Sequence, residues 1–364
     1  MFALWPVARW SYALSEKSKK MNTMENKTIN KGMWTFPMAT RFVNEHRLPM
    51  PVINEELFFY HIQNYDKVFG TIDKWNNLCE LVNKYYHGNP QEFVEGFKEI
   101  RENVIKTIKD GEAYQKFNNM DMNVYAVDKN KYKQKSKNIY HEGNIGKTLI
   151  SIDLRKANFQ AMNYVDKNIM LNSDTYDDFI RKFTNNQLVI DSKYFRQVFF
   201  GQLNPSRVFT VETYMVYQVL DFMSEYFQFP YEINSINADE VTIELYHRYF
   251  YLLRDFRAIA NFATECKNAT GIDVHCEIYT LDGYNFYSNA RNRKHFTFYA
   301  RNEHKEPFDE TVINTNLMCV QGPYFALVYK LYNNMEPEPL DYHFTNGDVD
   351  CIFNDTFRIE QITN

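Results

Sequence analysis

The stretch Thr148-Leu149-Ile150-Ser151-Ile152-Asp153-Leu154-Arg155-Lys156-Ala157-Asn158-Phe159 decides how the rest of the chain is read. Leu149, Ile150, Ile152 and Leu154 predict a short apolar strand that delivers one carboxylate, Asp153, at its end. A basic turn and a small residue follow at once. Desolvating an acid on an apolar strand is costly unless the acid is paired or holds a metal. Acids also end strands as helix caps, so Asp153 alone does not define a site. A site there needs a second acid, phosphate-binding bases and a loop to bring them together.

Upstream, Lys129, Lys131, Lys133, Lys135 and Lys137 occupy alternate positions. In an extended segment all five ammonium groups project from one face, which suits a polyanion better than it suits packing. A solvated loop is the competing reading, and the strict period of two tips the balance toward a phosphate-facing ribbon. Before the ribbon the chain is helical. Leu48-Pro49-Met50-Pro51 is extended, Asn54 caps a helix beginning Glu55-Glu56, and Thr71 is a cap for a second that stops near Gly88. Asn89-Pro90 opens a third, with Phe93, Phe97, Ile100, Val104 and Ile108 along one face and Gly111 closing it. These stripes read as packing.

Downstream of Asp153, a helix-prone region begins near Asp174. Gly201-Gln202-Leu203-Asn204-Pro205 then opens a long helix with Asn204 as its expected cap. Tyr231 to Leu245 reads as a hairpin whose tip is Asn237-Ala238-Asp239-Glu240. A helix over Tyr246 to Lys267 and a half-buried strand over Gly271 to Thr280 follow. The last third holds the basic cluster Arg291, Arg293, Lys294, a strand over His295 to Ala300 and a helix over Pro323 to Tyr332.

Composition narrows the class. The 364 residues are 45% hydrophobic with net charge −5, enough for one large domain or two to three ordinary ones. No long uncharged apolar run predicts a membrane span. Five scattered cysteines without metal-ligand spacing read as reduced thiols of an intracellular protein, in cytoplasm or nucleus. Residues 1–20 have the charge of an organellar presequence; a frayed tail, or a true start at Met21 or Met24, is the preferred alternative. No glycine-rich dinucleotide loop, Walker loop, zinc motif or Ser/His/Asp set is present.

The order of these motifs resembles a family. Asp153-Leu154-Arg155-Lys156-Ala157-Asn158-Phe159 is similar to the first palm motif of reverse transcriptases, in which Asp-x-x-x-Ala-aromatic-Phe is common. Phe199-Phe200-Gly201-Gln202-Leu203-Asn204-Pro205-Ser206 resembles their second motif, and Asn237-Ala238-Asp239-Glu240 the hairpin-tip motif, usually aromatic-x-Asp-Asp. The resemblance spans roughly residues 148 to 280 and extends to RNA-dependent RNA polymerases. It implies an α+β fold, a right-hand palm of antiparallel sheet and packed helices behind a mainly helical N-terminal region. Expected divisions are a poorly ordered or extended lead over 1–47, a fingers-like helical region over 48–147, the palm over 148–285 and a thumb-like or accessory region over 286–364.

The implied function is template-directed nucleotidyl transfer from nucleoside triphosphates, with Mg2+ (or Mn2+) held by Asp153 and Asp239 and with Glu240 as an outer acid. Arg155, Lys156, Ala157, Asn158, Phe159 and Gln202 would meet the incoming nucleotide. The lysine ribbon, Arg196 and Arg207 would hold the phosphates of template and primer. Lys267 is a weaker candidate, as proton donor to pyrophosphate, against a plain exposed helix-end lysine. Partners are then nucleic acid and nucleotides, with no membrane; the short chain implies a compact thumb or a partner subunit. Two departures matter. Asn158 stands where reverse transcriptases carry a bulky aromatic against the ribose 2′-hydroxyl, so ribonucleotide use is open. Glu240 replaces the second Asp, which also fits a decayed palm serving as a nucleic-acid-binding or assembly subunit. A metal nuclease on the same two acids is the third reading.

Overall fold

The computed structural model describes residues 27–246, 253–346 and 349–363. Its first helix, α1 (Phe36–His46), corrects the expected lead. Thr35 accepts from the Met38 amide, Pro37 sits in the first turn, and Met38, Ala39 and Phe42 are buried. The short stripe gave little periodicity to read, but capping and three buried side chains suffice. Residues 1–26, including the basic stretch to Lys20, lie outside the described residues.

Helices α2 (Glu55–Phe69), α3 (Thr71–Tyr86), α4 (Pro90–Asp110) and α5 (Glu112–Asn119) complete the N-terminal layer. Asn54 and Asn89 cap α2 and α4 as expected. Thr71 does not cap: Gly70, at φ 60°, makes the turn, and the Thr71 hydroxyl donates to the Ile62 carbonyl at 2.6 Å. Trp75 is fully buried, with the rings of Phe42, Phe58 and Phe59 edge-on at 5.2, 4.9 and 5.9 Å. Such pairs stabilise by ~0.5–1.5 kcal/mol each beyond the area they bury.

Strands β1 (Thr148–Leu154), β2 (Tyr231–Ile236), β3 (Glu240–Leu245), β4 (Val274–Ser288), β5 (Arg293–His304) and β6 (Val312–Met318) form one antiparallel sheet in the order β2-β3-β1-β4-β5-β6. One edge of β4 carries β1 along Val274–Thr280 and then β9 (Phe357–Gln361) along Tyr284–Ser288. The expected boundary between 285 and 286 therefore falls inside β4, and the strands that follow extend the same sheet. After β4–β6 come α12 (Phe325–Tyr332), roofing Phe286, Phe298 and Phe357, and the small hairpin β7 (His343–Asn346) and β8 (Val349–Ile352).

Between β1 and β2 lie α6 (Ala157–Val165), α7 (Tyr176–Arg181), α8 (Gln187–Asp191), α9 (Lys193–Phe200) and the long α10 (Pro205–Tyr226); α11 (Leu253–Thr270) precedes β4. The expected start of α11, from Tyr246, falls partly in 247–252, outside the described residues. Strand alternation divides the sheet. Ile150, Ile152, Val241, Ile243, Val274 and Cys276 share the face that packs on α10 and α11. Ser151, Asp153, Glu240, Thr242, His275 and Glu277 share the other. Mixed α/β architecture with an antiparallel sheet and packed helices is thus established. Among the described residues no helix is long and apolar enough to cross a membrane.

Candidate active site

Asp153 lies at the C-terminal end of β1, opposite Glu240 of β3 and His275 of β4. The β2–β3 turn closes through the Asn237 amide on the Glu240 carbonyl (2.8 Å), and the Leu154 amide bonds the Asp239 carbonyl (2.8 Å). The hairpin tip is thereby stitched to the end of β1, and the two predicted acids become neighbours. Asp153 is half-buried and Asp239 exposed. Glu240 is held back along the sheet, accepting from the Ser151 hydroxyl.

The electrostatics follow from this crowding. Burial, then Asp239 and Glu240, push the Asp153 carboxyl up to about 7. Lys193 opposes the shift without cancelling it. Glu212, on the buried side of α10, is likewise pushed up to about 7, by burial and then by Asp239, and its carboxylate accepts from the Asn158 amide at 2.5 Å. The site is therefore a concentration of negative charge that a cation would relieve. Among the described residues no three His, Cys, Asp or Glu side chains converge as a ready-made metal cage. Magnesium keeps several waters, and one or two carboxylates are enough to hold it; the excess charge at Asp153 and Asp239 fits such an ion.

Sequence reading missed three of the site's members. Glu212 hides in the apolar pattern of α10, Lys193 begins α9, and Arg47 closes α1 at φ 49°. Lys193 faces Asp153 and Asp239, and its pKa is lowered by partial burial and by the charges of Arg47 and Arg196. A cap Ser followed by Lys at a helix start was the available signal: Ser192 accepts from the Phe195 amide at 2.8 Å.

The structure redistributes the predicted nucleotide and phosphate residues. Phe159 is buried against Tyr176 and Phe179 and belongs to the core, although it also lines a cavity with Arg155 and Lys156. Ala157 opens α6, Asn158 points to Glu212, and Gln202 is exposed in the α9–α10 turn. Arg155 bonds the Val274 carbonyl at 3.1 Å and lies 3.4 Å from Asp273, while Lys156 pairs with Asp177 at 2.6 Å. Arg196 stacks on Tyr176. Arg207 is committed to the fold: its guanidinium caps α5 through the carbonyls of Phe117 (2.9 Å) and Met120, in place of the free phosphate-facing side chain expected. Asn204 stands at the helix start with φ 49° but does not cap; its amide donates to Asn118 at 3.0 Å. Lys267 pairs with Asp273 at 2.9 Å, the plain reading of that residue.

The lysine segment is not the extended ribbon expected: Lys129 and Asn130 form a turn closed by the Lys131 amide on the Asp128 carbonyl (3.1 Å), and bends follow at Lys131, Tyr132, Lys135 and Lys137. Its backbone bonds β2 at two points, Lys135 N–H to Ile233 and Ser136 N–H to Asn234. Lys131, Lys133, Lys135 and Lys137 are exposed and alternate with half-buried Tyr132, Gln134 and Ser136. Lys131 pairs with Asp221 and Lys135 with Glu232 and Glu244. Among the described residues Lys129, Lys133 and Lys137 form no ion pair.

Compared with protein-family models, curated proteins and solved structures, the chain matches none.

Proposed function

We propose that the chain is a template-directed nucleic-acid polymerase with a right-hand palm, transferring nucleotides from nucleoside triphosphates onto a 3′-hydroxyl. The observation that carries this reading is the pairing of Asp153, at the end of a central strand, with Asp239, at the tip of the adjacent hairpin. Both sit at the rim of a sheet whose opposite face is backed by helices. Their unrelieved repulsion supports a divalent-cation site, Mg2+ or Mn2+, with Asp153 and Asp239 as ligands and Glu240 in reserve. When bound, that ion would supply Lewis-acid activation of the attacking hydroxyl and charge relief at the phosphates.

The chain's own residues do the rest. Lys193, with Arg47 and Arg196 behind it, presents positive charge toward the acids, where a triphosphate would lie. The Asn158–Glu212 pair offers polar atoms in place of a bulky steric gate, which favours accepting a ribose 2′-hydroxyl. Lys129, Lys133 and Lys137 grip template or primer phosphates.

Primer extension with Mg2+, run with ribonucleotides and deoxyribonucleotides separately on RNA and DNA templates, tests the proposal. Extension should vanish in Asp153→Ala and in Asp239→Ala proteins that stay folded. Glu240, which replaces the usual second Asp and is drawn back onto the Ser151 hydroxyl, supports a second reading, a palm-derived nucleic-acid-binding or assembly subunit without catalysis. Binding to primer–template without extension under any of the four conditions selects it.

A further inference from the structure

Strand β6 bounds the sheet. Its inner edge pairs with β5, from Tyr299↔Met318 to His304↔Val312, and among the described residues no strand pairs with its outer edge. Proteins blunt such edges with lysine, proline, inward charge or a bulge. Val312-Ile313-Asn314-Thr315-Asn316-Leu317-Met318 carries no lysine, proline or charge, and its one irregularity is the register shift at Ile313, near its start.

The strand also reads alike in chemical type from either end. Thr315 is the centre, flanked by Asn314 and Asn316, then by Ile313 and Leu317, then by Val312 and Met318. Antiparallel partners oppose residue by residue. A second copy laid with Thr315 opposite Thr315 therefore sets Asn314 against Asn316, Ile313 against Leu317 and Val312 against Met318. Every position meets its own kind.

The strand is held in shape for this. Thr315 donates to Asn302 at 2.9 Å, and the Asn314 and Asn316 amides both donate to the Glu303 carboxylate, at 3.1 and 3.0 Å. The ladder with β5 shifts register between Glu303 and His304, so Ile313 has no residue opposite it there; it is 57% exposed, and Val312 37%. Apolar side chains at an uncharged open edge call for a cover, and the strand's own symmetry specifies one.

We propose that β6 is a self-association edge: two copies of this chain pair β6 to β6 about a two-fold axis at Thr315, continuing the sheet across a dimer. The edge lies three strands from β1, so the pairing leaves Asp153 and Asp239 accessible, and it stands whether or not the chain is a polymerase.

Sedimentation equilibrium across the micromolar range tests it. The wild-type mass should rise toward twice the monomer. Thr315→Lys and Thr315→Glu should each stay monomeric, because like charges face across the axis, whereas an equimolar mixture should recover the dimer. That recovery separates lost pairing from lost folding. Should far-UV circular dichroism show either variant unfolded, Val312→Lys, at an already exposed site, takes its place and should raise the dissociation constant roughly 2- to 30-fold by the loss of its two symmetry-related contacts with Met318. A wild-type chain that is monomeric throughout, a mixture no more associated than its components, or a dimer indifferent to these charges overturns the proposal.

Discussion

Neutralising Asp239 should stabilise the protein, and only above neutral pH. Asp153 is raised from its ordinary value to about 7, with burial the largest cause and Asp239 the next. An acid whose folded pKa exceeds its unfolded one keeps a proton in the native state that the unfolded chain releases. Its effect on stability is nil below pH ~4, grows more unfavourable between ~4 and ~7, and is constant above. At 1.36 kcal/mol per unit the whole shift has an upper bound of ~4 kcal/mol, which solvent screening of the part-exposed carboxyl reduces. Asp239 is exposed and solvent screens it, so its share is ~1 kcal/mol. Asn suits a turn as well as Asp does, and the bond that closes the tip onto β1 uses the Asp239 backbone, so Asp239→Asn keeps the fold. In urea titrations with EDTA present, followed by circular dichroism, Asp239→Asn should be more stable than wild type by ~1 kcal/mol at pH 8 and unchanged at pH 5. Equal effects at both pH values, or a loss at pH 8, would show that the two carboxylates do not repel one another and would remove the basis for a shared cation site.

Four further outcomes follow from named contacts. Glu212→Gln keeps an acceptor for Asn158 while removing a buried charge, so it should raise stability at pH 8 and shift the ratio of ribonucleotide to deoxyribonucleotide incorporation in extension assays. Arg207→Ala should cost ~1–3 kcal/mol in urea unfolding through the lost α5 caps, while the salt dependence of nucleic-acid binding stays as in wild type. Lys129→Ala/Lys133→Ala/Lys137→Ala together should flatten the slope of log affinity against log salt by ~2–3, whereas Lys131→Ala/Lys135→Ala, already paired with acids, should change it less. His61 is buried with neither ring nitrogen bonded, and burial, Lys330 and His343 push it down to about 4. A folded pKa below the unfolded one means stability lost as pH falls from ~6.5 toward ~4, so His61→Phe should flatten thermal stability across that interval.

Much of the fold was readable where local rules agree with packing. Asn54 and Asn89–Pro90 capped as expected because each signal needs only its own helix. The β2–β3 hairpin and β1 were legible because alternation and turn chemistry coincide. Thr71 and Asn204 misled for the opposite reason: each found a tertiary partner, the Ile62 carbonyl and Asn118, that overrode its local role. The boundary at 285 failed because β4 exchanges one neighbour, β1, for another, β9, along a single edge, and nothing local in the sequence marks that exchange.

Half of the candidate site was legible, and the missing half is its positive side. Asp153 and Asp239 could be found because carboxylates on apolar or turn positions stand out against their neighbours. The cations that answer them could not, since Lys193 and Arg47 look like any helix-terminal base until α1 and α9 are packed beside the sheet. The alternating lysines drew attention instead, yet two of them are bound to Asp221, Glu232 and Glu244, and none is among the charges that act most strongly on Asp153. This division yields a further test of the site. Lys193→Met should remove the charge that opposes the Asp153 shift, raising further the pH above which Mg2+ competes for the carboxylate, while Lys133→Met should leave that pH unchanged. A Mg2+-binding titration by calorimetry at stepped pH reads both, and an equal response to the two substitutions would show that Lys193 is not the charge that answers Asp153.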